Sequence, residues 1–178
     1  DNVWIQEFVI SQPIWKIAVE ILSKKPNILG ISIYIWNRGQ SLELIERLKK
    51  QDPSIRIIIG GPEVSFDMTS TDQYTVIAGE GEKKWVEFLE HFQKKTLPSD
   101  KILKSWESYG ENLQELTPAY IKDDLVHLKN RLVYLETSRG CPYLGSFCLS
   151  ALDKTVRFFD DRTIHQQINL LIKGGVTK

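Results

Sequence analysis

The sequence predicts an α/β fold built on a mostly parallel sheet with helices on both faces. Three observations carry this. Short β-branched apolar runs recur along the first hundred residues, amphipathic segments of helical length lie between them, and the two alternate at βαβ spacing. Right-handed crossovers between parallel strands then distribute the helices over both faces. With 178 residues there is room for one ordinary domain and a remainder. At 42% hydrophobic and 26% charged residues, the chain can form a packed core and is not of the disordered type.

Each element has its own signature. Asp1–Ile10 reads as a strand (Val3, Ile5, Phe8, Val9, Ile10). Ser11–Lys25 reads as a helix with Ile14, Ile17, Ala18, Ile21 and Leu22 on one face, Pro13 in its first turn and Pro26 beyond its end. Ile28–Trp36 is a near-continuous apolar run, the pattern of a strand buried on both faces. Ser41–Gln51 follows as a helix, with Leu42, Leu44, Ile45 and Leu48 inward and the pairs Glu43/Arg47 and Glu46/Lys50 spaced to meet on its wet face. Ile55–Ile59 is a further buried strand, closed by Gly60-Gly61-Pro62. Thr75–Ala78 is a short strand leading into Gly79-Glu80-Gly81-Glu82, and Glu82–Lys95 is a helix with Trp85, Phe88, Leu89 and Phe92 inward.

Four strands are counted to Ala78, where such sheets commonly have five, so a strand preceding residue 1 is expected. A sheet lacking it would expose an edge suited to strand exchange, a route to a homodimer. Residues 96–131 are polar and irregular and read as a linker. Leu132–Thr137 reads as a strand entering Ser138-Arg139-Gly140-Cys141-Pro142, and Asp160–Lys173 as a helix with Ile164, Ile168, Leu171 and Ile172 inward and Gly174 as its cap. The predicted division is therefore 1–95, 96–131 and 132–178. Trp4, Trp15, Trp36, Trp85 and Trp106 are expected to anchor packing.

Several classes are excluded. The 23 basic residues balance the 23 acidic ones, so no bulk field draws nucleic acid or an anionic membrane. The apolar runs are strand-sized, far short of the ~20 residues of a membrane helix. No charged start followed by an apolar stretch and a cleavage site opens the chain, so a cytoplasmic protein is expected. There is no P-loop, no complete Rossmann glycine fingerprint and no G-x-S-x-G elbow.

The two cysteines, Cys141 and Cys148, stand close together after a long cysteine-free run. A secreted disulfide scaffold would spread pairs along the chain, so the spacing points to metal or redox chemistry or to two incidental thiols. Their context, Glu136-Thr-Ser-Arg-Gly-Cys141-Pro-Tyr-Leu-Gly145-Ser-Phe-Cys148 after a strand, resembles the radical SAM signature C-x3-C-x2-C. In that family three thiolates hold a [4Fe–4S] cluster whose open iron binds S-adenosylmethionine. The sequence departs from the pattern at its middle ligand: position 145 is glycine, which cannot ligate. Cys141 and Cys148 are thus family ligand positions with the third missing.

A second set, Ile31–Asn37, Gly60-Gly61-Pro62-Glu63 and Gly79-Glu80-Gly81-Glu82, lies at strand C-terminal ends, the edge that binds ligands in open α/β sheets. Ordinary tight turns would explain the glycines alone. The whole string, across about residues 1–95, resembles the B12-binding domain that precedes many radical SAM barrels, as in relatives of the anaerobic magnesium-protoporphyrin ester cyclases. The resemblance implies a flavodoxin-like, Rossmann-like domain, a linker and the first βα unit of a radical SAM partial TIM barrel. It implies cobalamin as a cofactor, with Ser32, Gly60 and Gly61 lining the corrin or its nucleotide tail. The cobalt-ligating signature D-x-H-x-x-G is not present: His91, His127 and His165 lie in other contexts. Tyr34, Trp36 and Asn37 are candidate pocket-lining residues, and Asp123-Asp124 and Asp160-Asp161 read as a hydrated turn and a helix start.

Three readings follow. The first is part of a radical SAM enzyme that methylates or cyclises an unactivated carbon of an unidentified small molecule. Fewer than fifty residues follow Leu132, too few for a barrel of ~200, so no catalytic residue is assigned and the chain is expected to be inert as it stands. The second is a cobalamin-binding or docking module without catalysis. The third, a receiver-type regulatory domain, lacks a phosphorylatable aspartate after any of these strands.

Overall fold

The computed structural model describes residues 3–65, 71–96, 106–108, 110–143, 145–148 and 155–176. They fall into two compact units, Asp1–Tyr109 and Gly110–Lys178. The first contains α1 (Ile14–Ser23), β1 (Ile28–Ser32), α2 (Arg38–Gln51), β2 (Arg56–Gly60), β3 (Thr75–Gly79), α3 (Glu82–Gln93) and β4 (Trp106–Ser108). The strands form one sheet in the order β1-β2-β3-β4, and every neighbouring pair is parallel.

The sheet divides the core into two layers. Side chains alternate along a strand, so Ile57 and Ile59 of β2 and Val76 and Ala78 of β3 point to the face covered by α1 and α2. Ala18 and Ile21 of α1 and Leu44, Ile45 and Leu48 of α2 complete that layer. Ile58 and Ile77 point the other way, onto Phe88, Trp85, Leu89 and Phe92 of α3. Burying each isoleucine contributes roughly 1.5–3 kcal/mol. Gly30 has a packing role here: a Cβ at that position would lie 3.3 Å from the Trp85 ring, so the indole rests directly on the β1 backbone. The wet face of α2 carries the two ion pairs its spacing predicts, Glu43–Arg47 at 2.8 Å and Glu46–Lys50 at 2.6 Å.

Several expectations are corrected. Residues 3–9 form no strand, and Val3 and Ile5 are 85% and 95% exposed. The apolar run after Asn27 is strand only to Ser32, and β1 is half-exposed rather than buried on both faces, because among the described residues β2 alone pairs with it. Pro13 caps α1 instead of entering it. A fourth strand, β4, lies inside the stretch read as linker. Trp4, Trp15 and Trp36 are more than half exposed, whereas Trp85 packs into a core cluster.

The second unit has 3-10 turns at Leu113–Glu115 and Lys122–Asp124, then α4 (Leu125–Leu128), β5 (Ser138–Arg139), β6 (Arg157–Phe158) and α5 (Asp161–Lys173). Leu132–Thr137 is not strand, and β5 pairs antiparallel with β6, so a parallel βα barrel unit is not shown. Side-chain amides hold the irregular backbone. Buried Gln167 accepts from the Tyr120 N–H at 2.9 Å and donates to the Tyr120 carbonyl at 3.1 Å. Gln114 likewise donates to the Phe158 carbonyl and accepts from the Asp160 N–H, both at 2.9 Å. Asp160 caps α5 through Arg162 N–H, as its place at the helix start predicts. Ile164, half-buried, and Leu171, buried, face inward, whereas Ile168 and Ile172 are 40% and 65% exposed, against expectation.

At the end of α2, Lys49 Nζ donates to the carbonyls of Pro53 (3.1 Å) and Ile55 (2.6 Å), and burial pushes its ammonium pKa down. The next turn is closed by Asp52, whose carboxylate accepts from the Ser54 hydroxyl and N–H and is held below its ordinary value of 3.8 by those bonds. A carboxyl with a depressed folded pKa contributes stability that is present above the unfolded value and lost as pH falls through the folded one. Asp52→Asn keeps the turn geometry but cannot titrate. Its urea midpoint should therefore fall less steeply than the wild type's as pH is lowered below about 5, measured side by side.

Candidate functional site

Parallel strands place all their C-terminal ends, and the loops that follow, on one edge of the sheet. Here that edge is made by Ser32, Gly60 and Gly79, the last residues of β1, β2 and β3. Ser32 and Gly60 are register partners, and the Ile33 N–H donates to the Gly60 carbonyl at 2.8 Å, extending the ladder one step beyond β1. Ser32 is exposed and both Gly60 and Gly61 are half-buried, so the structure brings the three predicted cofactor-lining residues together on one accessible rim.

The two glycines differ. At Gly61 φ is +106°, and a Cβ would lie 2.5 Å from the Ile33 carbonyl oxygen. Gly61 is therefore required by the close approach of two backbones, whatever binds there. At Gly60 the nearest neighbour of such a Cβ would be the Ile77 carbonyl oxygen at 3.5 Å, an ordinary contact.

The loop after β1 is closed by Asn37. Its side-chain oxygen accepts from the Tyr34 N–H at 2.8 Å, and its amide donates to the Ser32 carbonyl at 3.0 Å. Asn37 is thus a loop fastener more than a pocket wall. The same fold stacks Tyr34 on Trp36, with ring centroids 4.7 Å apart and planes 7° from parallel. With Ile35 77% exposed between them, the pair gives the rim an apolar shelf. Arg38, the first residue of α2, reaches Glu63 in the loop after β2 at 2.9 Å.

Sequence reasoning passed over this ion pair and Ser65. The Ser65 hydroxyl donates to the Gly61 carbonyl at 2.8 Å and accepts from the Gly79 N–H at 3.0 Å. No sequence motif marks either residue. No histidine stands on the rim among the described residues. His91 is in the last turn of α3, whose direction carries it to the opposite edge, and its Nδ1 lies 2.9 Å from Thr96 Oγ1. His127 and His165 belong to the second unit.

The cysteine loop was tested against the donor set of a three-thiolate cluster. Cys141 is half-buried and Cys148 exposed. The Gly145 N–H donates to the Tyr143 carbonyl at 3.0 Å and the Cys148 N–H to the Gly145 carbonyl at 3.1 Å, giving a tight turn. Among the described residues no three histidine, cysteine or acidic side chains gather as a metal-binding group. Two thiols and a glycine do not fit the cluster's ligand set. Space is not the obstacle: a Cβ at position 145 would meet the Cys148 Cβ at 3.6 Å, an ordinary contact.

Replacing Gly61 by alanine should cost on the order of 1–3 kcal/mol through backbone strain alone, whereas Gly60→Ala should change stability by less than about 1 kcal/mol. Urea unfolding of the two variants measures the difference.

Comparison with known proteins gives two matches. Residues 10–89 fit the family model of the B12 binding domain. The chain is 25% identical over 179 residues to the cobalamin-dependent radical SAM methyltransferase TokK of Streptomyces tokunonensis, an alignment covering 85% of this chain and 26% of the relative. The chain thus spans about a quarter of the length of that curated relative. The two matches agree, and they support a B12-binding-type module related to radical SAM proteins.

Proposed function

We propose that this chain is the cobalamin-handling part of a radical SAM enzyme, and that the rim of Ser32, Gly60 and Gly61 is where the cofactor sits. The observation that carries the reading is one of coincidence: the matched span, residues 10–89, holds all the elements whose C-terminal ends build the rim. The rim suits a broad, flat ligand. Gly60 and Gly61 offer backbone without side chains, Tyr34 and Trp36 offer an apolar surface, and the Ser32 hydroxyl offers a hydrogen bond to a peripheral amide. Bound cobalamin would supply a cobalt centre able to carry a methyl group. The chain's contribution would be to hold and orient the corrin from its backbone and aromatic surface.

The relative's name favours methylation over cyclisation for the parent reaction. The chain itself is proposed to be inert in cluster chemistry, because the loop at Cys141–Cys148 lacks the third thiolate. A binding module without catalysis is the alternative, and it shares the same rim.

Titration of the chain with hydroxocobalamin, followed by its visible absorbance, tests the reading. Saturable binding with a dissociation constant of roughly 1–100 μM is expected, weakened about tenfold or more by Trp36→Ala. No saturation below about 1 mM would sink it. The cysteine loop has its own measurement: iron per chain after anaerobic reconstitution with iron and sulfide. The wild type is expected to retain no stable cluster, and Gly145→Cys to gain a [4Fe–4S] signal in the reduced-state EPR spectrum. No cluster in either version would remove Cys141 and Cys148 from any ligand role.

A further inference from the structure

The end of β2 poses a problem of backbone partners. The register pairs Ile58 with Thr75 and Ile59 with Val76, so β2 ends at Gly60 while β3 runs on through Ala78 to Gly79. The last N–H of β3 on that side has passed the strand that would have received it. A buried or half-buried N–H without an acceptor is costly. Ser65 supplies the acceptor: its hydroxyl oxygen takes the Gly79 N–H at 3.0 Å, and its own hydrogen goes to the Gly61 carbonyl at 2.8 Å. One hydroxyl thus links the loop after β2 to the end of β3.

The linkage is held on both sides. Gly61 is pressed against Ile33 by the close approach already described, and the Glu63 N–H points at the Ile33 carbonyl at 3.4 Å. Three consecutive residues then fasten the loop by different means. Glu63 is ion-paired to Arg38, Val64 is fully buried in the core, and Ser65 bonds across to Gly79. Gly61 and Gly79 both have positive φ, +106° and +76°, so neither backbone would keep its place by local preference of an ordinary residue.

We infer that Ser65 is a positioning residue for the ligand rim: it sets the spacing between the Gly60-Gly61 turn and the Gly79-Glu80-Gly81 turn without itself touching the cofactor. This rests on the cobalamin reading above, and it adds a residue that neither the glycine motifs nor the family match singles out. A side chain that merely filled space would be replaceable by alanine with little effect on the rim. A hydroxyl that bridges two turns would not, and threonine, which keeps the hydroxyl, should rescue it.

The test uses the chain with Ser65→Ala and Ser65→Thr, and two readouts. In the ligand-free protein, amide exchange at Gly79 should accelerate about tenfold in Ser65→Ala while Ile57–Ile59 stay protected, and return towards wild type in Ser65→Thr. With hydroxocobalamin, Ser65→Ala should bind about tenfold more weakly and Ser65→Thr within about threefold of wild type. Unchanged exchange at Gly79 in Ser65→Ala overturns the bridge. Accelerated exchange with unchanged cobalamin affinity overturns the positioning role while leaving the bridge. Failure of the wild-type chain to bind hydroxocobalamin at all is the separate failure of the cobalamin reading, and the positioning role falls with it.

Discussion

The close approach of Gly61 to the Ile33 carbonyl is the contact on which the rest of the rim depends. Parallel strands cannot be joined by tight hairpins, so each must release its chain at the same edge and send it back over a face of the sheet. Two such exits lie side by side, from β1 and from β2, and a Cβ at position 61 would collide with the Ile33 backbone. Glycine at 61 removes one side chain at the crossing and accepts the positive φ the turn imposes. Everything further out is arranged around that crossing. The Asn37-closed loop stands on one side of it, and the Ser65 bridge to β3 stands on the other.

What was legible in the sequence follows from what kind of signal each element carries. Ile57–Ile59 could be read because a β-branched run closed by glycines has few other uses, and the structure buries all three. The helix faces of α2 and α3 were readable from their periodicity, and even the exposed ion pairs of α2 followed from spacing. Residues 3–9 misled because alternation signals a strand only where a partner exists, and no described strand lies beside them. The same cause undid the prediction for β1. A run apolar on both faces reads as a central strand, but burial is a property of neighbours, and β1 has one among the described strands. β4 escaped notice for the opposite reason. Three residues are too few for periodicity to show, and it is their ladder to Ile77–Gly79 that makes them strand.

The candidate site was legible in part, and the division is physical. Glycines announce themselves because few residues can replace them, so Gly60 and Gly61 could be named from the sequence alone. Their roles could not. Only geometry separates Gly61, which a steric crossing demands, from Gly60, whose position would accept a Cβ. Asn37 has a task the sequence did not show, since both ends of its amide bond its own loop. Ser65 and the Arg38–Glu63 pair were invisible, because a hydroxyl or an ion pair acquires meaning only when folding delivers its partner.

The two halves of the chain make different demands on a cofactor. The rim asks little of any single side chain. It offers backbone, an aromatic shelf and a hydroxyl, and contacts of that kind degrade gradually when one is lost. A cluster site of the C-x3-C-x2-C type is unforgiving, because each of its three thiolates holds a different iron and a missing donor cannot be shared among the others. A single glycine in the cysteine loop therefore weighs more against cluster chemistry than several changes on the rim would weigh against corrin binding. The turn around Gly145 keeps room for a side chain beside Cys148, so the loop departs from the ligand pattern in its donors and not in the space it leaves for them.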